Sequence, residues 1–145
     1  MTENEYNAFC GALPATTHVV QWGDAHVWKV GGKVFAIARW RDGEPFITFK
    51  AGEVSYEVLK EQPGLRPAPY LASRGLKWIQ HYATPGLSDE ELRAYLRRAH
   101  ELVARGLSRR ARRELGLEAP SAVRPPADAS AGRGVGRVAS RARRR

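Results

Sequence analysis

The chain has 145 residues, 43% of them hydrophobic, with 24 Lys and Arg against 15 Asp and Glu. That is enough chain for one domain with its own core, and too apolar for a polypeptide disordered throughout. A single cysteine, Cys10, excludes an internal disulfide framework, and no apolar run is long enough to span a bilayer. The acidic start Met1-Thr2-Glu3-Asn4-Glu5 has no hydrophobic run behind it, so no signal peptide is expected, and the expected location is the cytoplasm.

Thr2-Glu3-Asn4-Glu5 has the form of a capping box, and Tyr6, Phe9, Cys10 and Leu13 recur behind it at helical spacing. A first helix is therefore predicted to about Gly11, with Pro14 closing the segment. Thr17–Trp22, rich in β-branched residues, reads as a strand. Ala25–Val30 and Lys33–Trp40 flank Gly31-Gly32, a two-residue loop that tolerates positive φ at both positions, and so predict a hairpin. Asp42-Gly43 marks the next turn, and Phe46–Lys50 alternates as a fourth strand.

Val54, Val58 and Leu59 predict a helix over Glu53–Gln62, stopped by Pro63-Gly64. Leu65–Tyr70 is too proline-rich for a helix or a central strand and reads as a structured loop. Leu76–Tyr82 reads as a strand. Ser88-Asp89-Glu90-Glu91 is a second capping box, ahead of a long apolar stripe through Leu92, Tyr95, Leu96, Ala99, Leu102 and Val103. A last helical turn or two is predicted over Ser108–Leu115. The element order gives an α+β domain over residues 1–117, an antiparallel sheet with helices packed on one face.

The charge is unevenly placed. Residues 1–104 hold twelve Lys and Arg against twelve Asp and Glu, so the formal charge of +9 belongs to residues 105–145. Residues 118–145 are Pro, Ala, Ser, Gly and Arg with almost no large apolar side chain, and are expected to be a disordered basic tail. The glycines at 132, 134 and 136 follow no strand and open no helix, so they are no dinucleotide fingerprint.

Leu13-Pro14, Trp22-Gly23, the run Trp28–Ala36, Pro63-Gly64, Pro67–Leu71, Lys77-Trp78 and the capped helix from Ser88 stand in an order that resembles the MmcQ/YjbR-like family. The resemblance spans residues 3–115. It implies a CyaY/frataxin-like α+β sandwich and a double-wing arrangement associated with DNA binding, and it brings no catalytic residue. Frataxin-type iron binding uses an acidic ridge on the first helix, where this chain offers only Glu3 and Glu5, so iron donation is not expected.

The two hairpins carry Lys29, Lys33, Arg39 and Arg41 against Asp24, Asp42 and Glu44, and the C-terminal helical end carries Arg105, Arg109, Arg110, Arg112 and Arg113. These are the candidate phosphate contacts, since clustered cations bind a nucleic-acid backbone without reading its sequence. Tyr70, Lys77 and Trp78 are candidates for a small pocket. Asp24 and His26, two residues apart, would share one face of a strand. The four histidines show no i,i+4 pairing and no zinc spacing with Cys10, which sits in the apolar stripe of the first helix. The expectation is a monomeric DNA-binding protein of low specificity, weak and salt-sensitive, with no enzymatic role, metal or cofactor. The alternative is a module that binds a protein partner or a small ligand.

Overall fold

The computed structural model describes residues 1–71 and 74–117; the basic tail expected over 118–145 lies outside them. Both capping boxes form. Thr2 Oγ1 accepts from the Glu5 amide at 3.1 Å while the Thr2 amide donates to Glu5 Oε1 at 2.9 Å, which fixes the start of α1 (Glu3–Ala12). An antiparallel meander follows: β1 (Thr16–Gln21), β2 (Ala25–Val30), β3 (Lys33–Arg41) and β4 (Glu44–Lys50). Gly31 and Gly32 both take positive φ, 60° and 79°, as the β2–β3 turn requires.

α2 (Glu53–Leu59) is shorter than predicted. The Gln62 amide bonds back to the Leu59 carbonyl at 3.0 Å, tightening the chain into turns ahead of Pro63. The predicted loop at 65–70 is also corrected, because Leu65–Pro67 forms a strand, β5, at the end of the sheet. Pro67 rules out a central strand, but an edge strand leaves one side unpaired and tolerates a residue with no N–H. β6 (Trp78–His81) starts later than predicted, since the Trp78 amide turns back onto the Leu76 carbonyl at 3.1 Å. It inserts between β4 and β5, so the six strands run β1-β2-β3-β4-β6-β5. α3 (Asp89–Arg105) opens on the Ser88 capping box, and α4 (Arg109–Glu114) is a short last helix.

Strand register decides the core. Trp28, Ala36, Phe49 and Ile79 lie across from one another and point to one side. There they meet Tyr6 and Cys10 of α1 and Leu92, Leu96, Ala99 and Val103 of α3. Each large apolar side chain buried this way contributes roughly 1.5–3 kcal/mol. Trp28 pairs with Ala36 but Lys29 with Val34, which leaves Phe35 as an extra residue in β3. That bulge explains why the adjacent Phe35 and Ala36 are both buried. The result is the expected α+β class, a six-stranded antiparallel sheet with helices packed against it. No helix among the described residues is long and apolar enough to cross a membrane.

Candidate nucleic-acid interface

Because side chains alternate along a strand, the residues between the core positions point away from α1 and α3. One row on that far face runs Val19, Val27, Ile37, Thr48, Gln80, Arg66. Lys29, Arg39, Arg41 and Lys50 share the parity of this row. The five strand cations on this face meet one strand acid, Glu44, which sits beside Arg41 in the register. Lys29, Arg39 and Arg41 were legible in the sequence. Lys50 was findable from the alternation of Phe46–Lys50, whereas Arg66 was hidden inside a segment read as loop.

The long side chains on this face are held. Arg66 Nε donates to Gln80 Oε1 at 2.8 Å, and Gln80 Nε2 donates to Thr48 Oγ1 at 3.3 Å. The Arg66 guanidinium lies 4.3 Å from the centre of the Tyr82 ring, and Lys50 Nζ lies 6.0 Å from that of Trp78. Arg39 Nη2 donates to the Trp22 carbonyl at 3.1 Å, with Asp24 Oδ1 3.9 Å from its Nε. Arg39 thus braces the β1–β2 turn as well as adding charge.

The hairpin cations do not form one cluster. Lys33 and Arg41 stand at opposite ends of β3, about 26 Å apart at ~3.3 Å per residue. At the Lys33 end, Leu107 sits against Gly31 and brings the α3–α4 junction to the β2–β3 turn. Lys29 and Lys33 therefore share an end of the molecule with Arg105, and Arg39 and Arg41 occupy the other. Within the C-terminal group, Arg112 Nη1 donates to the Arg105 and Leu107 carbonyls at 2.9 and 3.3 Å, capping the end of α3. Arg110 pairs with Glu114 at 3.1 Å, and Arg109 and Arg113 lie exposed on α4.

The sequence also offered Tyr70, Lys77 and Trp78 for a small pocket. Tyr70 takes a left-handed backbone, φ 69°, and is 86% exposed. Lys77 lies 5.0 Å from the centre of the Tyr56 ring, and Trp78 is buried next to Lys50. The Asp24–His26 pairing is corrected too. Asp24 lies in the turn and faces Arg39, while His26 points to the helix side and meets Glu3 Oε2 at 2.6 Å.

His26 Nδ1 in turn meets His18 Nε2 at 3.0 Å, and the rings are only 6° from parallel. This Glu3–His26–His18 line joins α1 to β1 across β2, a long-range contact that no local motif announces. It runs as a chain rather than converging, and among the described residues no three His, Cys, Asp or Glu side chains are grouped to hold a metal ion. Cys10 is fully buried and its thiol is pushed up to about 12 by that burial, so it packs rather than reacts.

The YjbR family model matches residues 11–102. The uncharacterized protein YbdF of Escherichia coli O157:H7 is 30% identical over 86 residues, which cover 58% of this chain and 68% of that protein. The crystal structure of Deinococcus radiodurans protein DR2400, a DUF419 domain, superposes with a TM-score of 0.69 at 24% identity, covering 80% of this chain and 88% of that one. A Pseudomonas syringae protein superposes with a TM-score of 0.57 at 16% identity, over 70% of this chain and 98% of that one. At these identities the two structures share the fold with this chain.

Proposed function

The chain belongs to the YjbR family, and we propose that it binds DNA with low sequence specificity through phosphate contacts. The observation that carries this reading is the set of cations on the sheet face turned away from α1 and α3. Lys29, Arg39, Arg41, Lys50 and Arg66 stand there with Glu44 as their one strand acid. The β2–β3 and β3–β4 hairpins take the part of the two wings in the double-wing arrangement. The sandwich they belong to is of the CyaY-like kind. Arg109 and Arg113 on α4, with the Arg-rich residues 118–145, add a second and diffuse attraction for the same backbone. The protein performs no catalysis in this reading and needs no cofactor.

The test is fluorescence-anisotropy binding of duplex DNA across a salt series, with the full chain, with Lys29→Gln/Arg41→Gln/Lys50→Gln, and with residues 118–145 removed. Each face cation engaged on a phosphate contributes about 0.9 to the slope of log K against log salt, so the triple variant flattens it by between two and three. An unchanged slope moves the contacts to the C-terminal arginines. Absence of binding at low salt by the full chain removes the DNA reading. The alternative, a protein-interaction module, draws its support from the exposed apolar residues of β1, Val19 and Val20.

A further inference from the structure

We infer that Tyr70 is a stacking platform for an unpaired base of single-stranded nucleic acid, an assignment that rests on the DNA binding proposed for the sheet face. Tyr70 has a φ of 69°, a left-handed value that residues with large side chains rarely adopt. The Leu71 amide donates to the Pro69 carbonyl at 2.8 Å, closing a three-residue turn centred on Tyr70. With a positive φ at its centre, this is the rare and strained form of such a turn. Glycine or asparagine would take the position at lower cost. Burial does not offset the strain, because Tyr70 is 86% exposed, more than any other large apolar or aromatic side chain among the described residues. Backbone strain held without a return in packing concentrates at ligand-binding positions.

The turn is braced from both sides. The Leu71 carbonyl accepts from the Arg74 and Leu76 amides, both at 3.1 Å, and Pro67 and Pro69 fix φ on the approach. The backbone that carries the ring is thus set before a ligand arrives, so little freedom is lost on contact. Charge decides what meets the ring. Pro67 pairs with Ile79 and Trp78 with Lys50, so residues 68–77 leave the sheet at the Lys50 end. Lys29 and Lys33 stand at that same end of β2 and β3, and Arg74 and Lys77 belong to the loop itself. The acids of α2 are Glu53 and Glu57, and Glu57 pairs with Lys60 at 2.8 Å. An exposed aromatic beside a group of cations is the combination that holds a single strand, with phosphates on the cations and a base on the ring. Bases inside a duplex already stack on one another and offer no free face. Trp22 is also exposed, 59%, on a left-handed residue, but it shares its end of the sheet with Asp24, Asp42 and Glu44, which repel phosphate.

The test is fluorescence anisotropy at low salt with the full chain and two probes, an oligothymidylate of about 12 nucleotides and a duplex of the same length. Tyr70→Asn suits a left-handed backbone and lacks the ring. It should weaken single-strand binding by about five- to a hundred-fold, the range for removing one stacking aromatic, and leave duplex affinity unchanged. Tyr70→Phe and Trp22→Asn should both keep single-strand affinity. The slope of log K against log salt should be the same in all four proteins, because no charge is altered. Urea midpoints check that each variant is folded. Without any variant, the native chain irradiated with the oligonucleotide carrying 5-iodouracil should cross-link at Tyr70, as mapped by mass spectrometry. Single-strand affinity unchanged in Tyr70→Asn, an equal loss on the duplex, an equal loss in Tyr70→Phe or Trp22→Asn, or cross-links that map only elsewhere overturns the inference and leaves the phosphate contacts standing. If neither probe binds the full chain, the DNA reading itself falls and stacking on Tyr70 falls with it.

Discussion

Leu107 packs against Gly31 so closely that a Cβ on the glycine would lie 2.5 Å from Leu107 Cδ1. One residue therefore satisfies two constraints, the left-handed turn of the β2–β3 hairpin and the seat of the α3–α4 junction. Gly31→Ala should lose roughly 1–2 kcal/mol to the backbone alone, and more where Leu107 has to move. Leu107→Ala should cost about 2–4 kcal/mol as a buried truncation. If the contact is as tight as it stands, the double variant recovers about 1 kcal/mol of the summed losses. Urea unfolding of the four proteins checks this, and strict additivity would contradict it.

What the sequence announced was local. The Thr2 and Ser88 capping boxes and the Gly31-Gly32 turn each depend on neighbours a few residues away, and each is present. What it withheld depended on distant pairing. β5 was missed because Pro67 argues against a strand until the strand is known to be an edge. Asp24 was joined to His26 by alternation, but Glu3 had first to be brought across from α1 before the true partner appeared. The cation set was read in part, since the face of Arg66 is defined only by its register with Gln80.

The histidine line has a direction. Trp28 Nε1 can only donate, and it donates to Asn7 Oδ1 at 2.9 Å, which turns Asn7 Nδ2 toward His26 Nδ1 at 3.4 Å. His26 Nδ1 is thus an acceptor, its proton sits on Nε2 facing Glu3, and His18 Nε2 donates to it. Desolvation first, and the nearby His26 second, hold His18 below the ordinary 6.5. By NMR titration His18 should titrate below 6.5. His26→Gln should raise that midpoint without restoring it fully, because the larger cause remains. A midpoint that falls in the variant would contradict the arrangement.

Cys10 offers a probe of opening. Its sulfur is enclosed in the core between α1 and the sheet, and burial pushes its pKa up to about 12. A thiol reagent at neutral pH should leave the native chain unlabelled and label it fully in denaturing urea, at a rate set by unfolding. Rapid labelling of the native protein would show that α1 detaches on its own.

His81 gives the fold an acid-sensitive point. The Leu87 amide donates to its Nδ1 at 3.2 Å, so the buried ring must keep that nitrogen unprotonated. Burial lowers its pKa from 6.5, the amino group of Met1 adds to the effect, and Asp89 opposes it. The unfolded chain therefore takes up this proton first. The contribution to stability is complete above pH 6.5 and is lost as the pH falls through the depressed folded value, at about 1.4 kcal/mol per unit between the two. His81→Asn keeps an acceptor for the Leu87 amide but cannot take the proton. Urea midpoints measured from pH 8 to pH 5 should fall less in this variant than in the parent, with the His18 contribution common to both. Parallel pH profiles would mean that His81 does not carry the acid sensitivity.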